Sequence, residues 1–369
     1  MDQRAKSIGP VLLTGGNGFI AYHVISKILE EDPYCVIHSL DINIDRNRHP
    51  NANVHYHQAD IASAADVEKV MKISQPVTVF HLASPAFSGE SESTYTRVMV
   101  DGAYNLLLGI EKVQTVKALV NTSVTGLIND NASDMINATE DMPVLRPPQQ
   151  KLMYSIMKLE SDEIIQAANR RNGLLTCSLR PCLTFGERDV GSLGKMIAVA
   201  RAGRANLQVG HGQNLWDFVY IGNVADAHLL AAHALLDAWG KPPPAESDSG
   251  MRVDGETFHI TNDDPWLFWD FQRSISSLLG KPVRSEEIRV IPAWIPLTVA
   301  SIIEWIGWLL SWGTKPSPGI STSIRYSTIA RTHDISKAKR VLGYRPRVSM
   351  QEGLERSVKW FAENERQRS

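Results

Sequence analysis

Short apolar runs alternate, through the first half of the chain, with segments whose apolar residues recur every three or four positions. "VLLT" (Val11–Thr14) reads as a buried strand, and a glycine turn follows it. An amphipathic helix is then expected over about residues 18–30. The unit repeats. "CVIHSLDI" is a strand that ends near Asp41, and "VTVFHLAS" (77–84), "VKALVNTS" (116–123) and "GLLTCSLRP" (173–181) are further apolar runs with helical stretches between them. Strands alternating with helices predict an α/β fold built on a doubly wound parallel sheet, with ligands beyond the carboxyl ends of its strands. "WGKPPPAESDSG" (239–250), rich in proline and serine, is the one obvious exposed loop.

A second pattern appears late. "IPAWIPLTVASIIEWIGWLLSW" (291–312) carries one charge, Glu304, and four tryptophans, Trp294, Trp305, Trp308 and Trp312. It meets the length of roughly 20 residues that a bilayer span requires. Three readings compete: a helix buried in a core, a membrane span, or an interfacial helix with its tryptophans at headgroup depth that also walls the substrate entrance. Pro292 and Pro296 suit a loop or first helical turn. The interfacial reading is favoured, because a span would carry the downstream segment across the membrane, away from the rest of the fold.

Composition narrows the picture little. With 369 residues, 43% hydrophobic and 21% charged, the chain fits one large α/β domain with a smaller appended region. A formal net charge of -2 gives no reason to expect nucleic acid as a partner. Cys35, Cys177 and Cys182 are too few and too scattered for a disulfide framework or a metal cluster, which points to a reducing compartment. The first residues lack the apolar region of a signal peptide.

Chemistry enters with the first turn. Gly15, Gly16 and Gly18 would let the backbone approach a pyrophosphate, whose charge the helix N-terminus favours. Ala21 takes the third small position. Asp41 follows at about the distance where an acid accepts hydrogen bonds from the adenosine ribose, and its charge would repel a 2′-phosphate, so NAD is favoured over NADP. Asp41 alone reads as easily as a turn residue; with the glycines, the nucleotide reading prevails. "YSIMK" places Tyr154 and Lys158 four apart on one helix face. A tyrosine with a pKa near 10 is a poor base at neutral pH, and a neighbouring ammonium favours its phenolate. Such a pair, set in a dinucleotide fold, can take a proton from an alcohol while hydride leaves the same carbon.

These motifs resemble those of the extended short-chain dehydrogenases/reductases: "TGGNGFI" (14–20), "HLAS" (81–84), "YSIMK" and "LRP" (179–181). Later segments are similar to one branch of that superfamily, the 3β-hydroxysteroid dehydrogenases and sterol 4α-carboxylate 3-dehydrogenases: "GHGQNLWDFVYIGNVADAHLLAA" (210–232), "FHITNDDPWLFWDF" (258–271) and "RTHDISKAKRVLGYRP" (331–346). The resemblance implies a NAD-binding Rossmann domain over residues 8–185, with 217–262 returning to it, and a mainly helical substrate-binding region over 186–216 and 263–369. It implies that Tyr154 is the proton donor and acceptor and that Lys158 holds the nicotinamide ribose. Gly15, Asn17, Gly18, Phe19, Ile20 and Asp41 would hold the adenosine diphosphate half, Asp60 and Ile61 would lie near the adenine, and Ala83 and Pro181 along the cofactor. Asp217, Tyr220 and Asn223 form a family signature read as mainly structural.

Two departures stand out. The family has serine where this chain has Val124 in "TSVT", so the bond to the substrate oxygen falls to Thr125 or Ser123 or is missing. Met99 stands where the family generally has asparagine, which puts the proton relay in question. The expectation is NAD-dependent oxidation of a 3β-hydroxyl on a sterol, steroid or polycyclic terpenoid, with loss of an adjacent carboxylate if the substrate bears one, in a specialised pathway such as secondary metabolism. The rivals are a sugar-nucleotide epimerase or dehydratase, a reductase of flavonoid-type ketones, and a non-catalytic nucleotide-binding protein. The superfamily implies a homodimer through two Rossmann helices. The expected location is cytoplasmic, either free or on the cytoplasmic face of the endoplasmic reticulum membrane.

Overall fold

The structure is a computed structural model that describes residues 7–245, 250–312 and 320–366. Its strands are β1 (Val11–Thr14), β2 (Ile37–Asp41), β3 (Val54–Gln58), β4 (Thr78–His81), β5 (Ala118–Thr122), β6 (Met135–Ala138), β7 (Leu175–Pro181) and β8 (Leu183–Phe185). They continue as β9 (Leu207–Val209), β10 (Leu215–Trp216), β11 (Phe218–Tyr220), β12 (Thr257–Ile260), β13 (Trp266–Leu267), β14 (Arg289–Ile291) and β15 (Arg331–His333). The helices are α1 (Phe19–Glu31), α2 (Ala64–Ser74), α3 (Glu92–Tyr95), α4 (Gly102–Val113), α5 (Met153–Ala167) and α6 (Leu193–Arg201). After them come α7 (Ile221–Ala238), α8 (Phe268–Leu278), α9 (Trp294–Leu310), α10 (Ile320–Tyr326), α11 (Ser336–Val341) and α12 (Met350–Arg366).

Seven strands form one parallel sheet in the order β12-β7-β5-β4-β1-β2-β3. Strands covered on both faces lack exposed positions, and β1, β4 and β5 are buried at every residue. The pleat divides them between two cores. Val11, Leu13, Phe80 and Val120 face the cluster under α1 and α7, while Leu12, Val79 and Leu119 face the one under α2 and α4. Strand order reverses at β1, which lies between β4 and β2, so the glycine turn after β1 opens at the switch point.

The remaining strands are short. A four-stranded sheet runs β13-β10-β15-β6, and the pairs β11-β8 and β14-β9 stand apart. The apolar stretch 291–312 is not one helix. Ile291 ends β14, paired with Val209 of β9, and the helix α9 begins at Trp294. Ala300 is its one buried residue; Trp294, Trp305, Trp308 and Trp312 are 68%, 60%, 58% and 92% exposed. The buried-core reading of this stretch is thus overturned: among the described residues most of the apolar surface of α9 is uncovered. No helix among the described residues is long and apolar enough to cross a membrane. Glu304, the lone charge, ties α9 to α10 by accepting from the Ser321 amide (3.0 Å) and hydroxyl (2.6 Å).

Candidate active site

The glycine turn is built for close approach. Gly15 has φ +65°, and a Cβ there would stand 2.8 Å from the Cα of Ala83 at the end of β4. Gly18 caps α1 with no side-chain hydrogen bond, so the first-turn amides of Phe19 and Ile20 face no competing cap. Asn17, fully buried, holds the rim. Its side chain donates to the carbonyls of Ile44 (3.3 Å) and Arg46 (2.8 Å) and accepts from the Ser39 hydroxyl (2.7 Å). Asp41, at the end of β2, accepts from the amides of Asn17 (3.1 Å) and Asn43 (3.0 Å). Asp60 pairs with Arg97 at 2.5 Å and accepts from the Ala62 amide. Ile61 is buried against Gly102, where an added Cβ would meet it at 3.1 Å. A cradle that a single methyl group would fill, facing an uncapped helix and an acid at the next strand end, fits a dinucleotide.

Tyr154 and Lys158 both lie on α5, which reaches the end of β5 through the lysine. Tyr154 is set among rings: Phe87 at 5.2 Å and Tyr95 at 6.0 Å, with Tyr326 at 5.7 Å from Phe87. Burial pushes its phenol up to about 12, Tyr95 and Tyr326 push the same way, and a hydrogen bond with Ser84 pulls back. Lys158 is buried, and its Nζ donates to the carbonyl of Thr122 at 3.0 Å. Burial holds its ammonium down to about 8, against the pull of Asp162. His81, bonded to Thr14 at 2.7 Å, is kept neutral by burial and by Lys158, with a pKa of about 3. Of these two basic groups, the lysine alone carries charge at neutral pH.

The "TSVT" segment resolves into distinct environments. Val124 is extended, with φ -148° and ψ 151°, and partly exposed. Ser123 and Thr125 are buried on either side, and the Ser123 hydroxyl has no hydrogen-bond partner among the described residues. Met99 lies in a π-helical turn (Thr96–Asp101) and packs with Tyr95, Val100 and Met157 beneath Tyr154. A thioether thus fills the space with apolar contact where an amide could have held water.

Pro181 closes β7, in register with Ile260. Of the signature residues, Asp217 accepts from the His333 amide (2.6 Å), and burial raises its carboxyl to about 7. The Tyr220 hydroxyl bonds Glu187 (2.9 Å), and Asn223 accepts from the Arg347 and Val348 amides (3.0 and 3.1 Å). All three anchor neighbouring segments. Sequence reading missed the ring wall of Phe87, Tyr95 and Tyr326, and also Arg331, whose guanidinium stacks at 4.6 Å on Tyr326 and 5.2 Å on Trp216. These residues come from separate segments and share no spacing that could have marked them.

Solved structures share the fold. UDP-glucose 4-epimerase from Thermotoga maritima, solved with UDP-glucose, superposes with a TM-score of 0.67 at 21% identity, covering 96% of this chain and 99% of that one. The Thermus thermophilus UDP-glucose 4-epimerase in complex with NAD gives 0.67 and 21%, over 95% and 98%. Sequence relatives are more similar. The sterol-4-alpha-carboxylate 3-dehydrogenase, decarboxylating, of Saccharomyces cerevisiae is 32% identical over 97% of this chain and 99% of its own length. A 3beta-hydroxysteroid-dehydrogenase/decarboxylase of Arabidopsis thaliana is 33% identical over 95% of this chain, which spans 62% of that longer protein. Residues 12–290 match the 3-beta hydroxysteroid dehydrogenase/isomerase family, and the chain belongs to that family of dehydrogenases.

Proposed function

We propose that this enzyme oxidises the 3β-hydroxyl of a sterol, steroid or polycyclic terpenoid to a ketone, with NAD as the acceptor, and that an adjacent carboxylate, where present, is lost as carbon dioxide. The observation that carries this reading is the setting of Tyr154, in an aromatic and apolar pocket on the helix whose Lys158 reaches the end of β5. The dinucleotide, when bound, supplies a cationic ring that accepts hydride. Tyr154 takes the hydroxyl proton at its Oη, one helical turn from the buried Lys158. We assign the bond to the substrate oxygen to Ser123, whose buried hydroxyl has no partner among the described residues. Loss of carbon dioxide from the resulting β-keto acid requires only a proton at the carbon left behind.

Asp41 supports NAD over NADP, since a 2′-phosphate would meet its carboxylate. The exposed tryptophans of α9 support an interfacial placement of that helix on a lipid surface. The epimerase reading draws on likeness of fold alone, and the rings around Tyr154 offer little to a nucleotide diphosphate.

The test is mass spectrometry of products from purified enzyme, NAD and a panel of 3β-hydroxy steroids and terpenoids, some carrying a 4-carboxylate. Loss of two hydrogens marks the dehydrogenase, and further loss of carbon dioxide marks the decarboxylating branch. Tyr154→Phe is expected to slow turnover by roughly 10²- to 10⁴-fold. A nucleotide sugar retained on the purified protein, with no steroid turned over, would replace this reading by the epimerase one.

A further inference from the structure

Arg331 is the one buried guanidinium near Tyr154 for which no carboxylate among the described residues acts as a partner. It is 7% exposed and rooted in β15, whose position is fixed by pairing with Trp216 of β10 and Met135 of β6. Its contrast with Arg180 is direct, for Arg180 is as deeply buried and pairs with Asp162 at 2.9 Å. The charge of Arg331 is met instead by two ring faces, Tyr326 at 4.6 Å and Trp216 at 5.2 Å. Trp216 is itself pinned, its Nε1 donating to the Ile329 carbonyl at 2.6 Å.

A buried cation without a counter-ion is costly, and a fold tolerates one where an anion arrives from outside. The other groups acting on Arg331 cannot serve. They are Tyr326 and Cys182, and burial raises the pKa of each, so both stay protonated at neutral pH. The guanidinium also faces the reacting end of the site. A Cβ placed on Gly126 would lie 4.0 Å from Arg331 Nη2, 3.8 Å from Val124 Cγ2 and 3.4 Å from the hydroxyl of Ser155, the residue next to Tyr154. Tyr326 lies between the two, acting electrostatically on Arg331 and on Tyr154 alike.

We propose that Arg331 is the counter-ion for a carboxylate on the substrate, held beside the hydroxyl that Tyr154 deprotonates, and so selects a 3β-hydroxy acid over its uncarboxylated analogue. This rests on the oxidation reading above and deepens it. The planar fork of arginine suits a carboxylate in two parallel bonds, which a lysine cannot copy.

The experiment compares wild type, Arg331→Met and Arg331→Lys, each loaded with NAD, on a 3β-hydroxysteroid with and without a 4α-carboxylate. The quantity read is the ratio of kcat/KM for the two substrates. In the wild type the ratio favours the acid; in Arg331→Met it falls by roughly 10- to 100-fold, the worth of a charged hydrogen bond, mainly through KM, and Arg331→Lys recovers part of it. Thermal melting without substrate supplies a second readout. Removing a buried, unpaired charge leaves Tm unchanged or higher in Arg331→Met, whereas a purely structural arginine would lower it. A wild type that treats both steroids alike, or variants whose ratio holds while Tm falls, overturns the proposal. Turnover of neither steroid by wild type instead removes the oxidation reading, and the Tm result then shows whether Arg331 is structural.

Discussion

Two apolar helices, α1 and α9, end in opposite places. Helix α1 buries Ala21, Val24, Ile25, Ile28 and Leu29 against the sheet and turns His23, Ser26, Lys27 and Glu30 away from it. Helix α9 is the more apolar by composition, yet only Ala300 is buried. The difference lies in the distribution of polar residues. Those of α1 interrupt the apolar pattern once per turn and define an outer side, so the remaining stripe has one neighbour to find. Apart from Glu304, α9 has no charged residue to define such a side, and among the described residues α10 packs along one edge of it. Hydropathy measures how much surface wants cover; periodicity tells whether the protein itself supplies it.

The largest effect expected on the α1 side is at its entrance. Gly15→Val puts a branched side chain at φ +65° and into Ala83, and titration with NADH should show binding abolished. Retained binding would mean that the turn before α1 does not cradle a dinucleotide. Ile25→Ala, at a fully buried position, should cost about 2–5 kcal/mol in urea unfolding. Acid gives a graded version of the same contrast. His81 and His228, with pKa values of about 3 and about 4, are held neutral by burial, and neither lies in α9. Above about pH 6.5, where an unfolded histidine is also neutral, the folded state bears no penalty. As pH falls toward about 4 the unfolded chain takes up protons that the folded one refuses, so stability is lost, about 1.4 kcal/mol for each tenfold difference in proton affinity. Tm measured at pH 7, 6 and 5 should decline at each step; a flat series would show that these rings are charged in place. The smallest effect is expected in α9. Replacing Trp305 and Trp308 together by serine should alter folding stability by no more than about 0.5 kcal/mol, while binding to phosphatidylcholine vesicles drops. A loss comparable to that of Ile25→Ala would erase the distinction between the two helices.

The same distinction explains what the sequence could tell. The strands of the main sheet are local apolar runs between turns, and β1 and β4 fall inside the runs "VLLT" and "VTVFHLAS". Gly15, Asp41, Tyr154 and Lys158 are legible as candidates because each sits at a fixed offset from a local element. The ring wall around Tyr154 is not. Phe87 and Tyr95 follow β4, whereas Tyr326 ends α10 and Arg331 opens β15, so they meet only through long-range packing, and two-residue strands such as β10 and β13 carry no period to read. Nor could spacing show that Lys158 turns to the Thr122 carbonyl, or that Met99 seats itself with Met157, because both depend on what packs against α5.

The four-stranded sheet β13-β10-β15-β6 has a consequence for how the enzyme comes into being. It draws on residues 135–138, 215–216, 266–267 and 331–333, whereas the seven-stranded sheet is complete once β12 ends at Ile260. Synthesis proceeds at about 5–20 residues per second, so the dinucleotide half can close several seconds before β15 leaves the ribosome. During that interval β6 and β10 wait for the strand that lies between them, and α9 is made before that strand arrives. Cofactor captured early would stabilise the finished half by mass action, leaving closure of the four-stranded sheet as the last and most interceptable step of biogenesis.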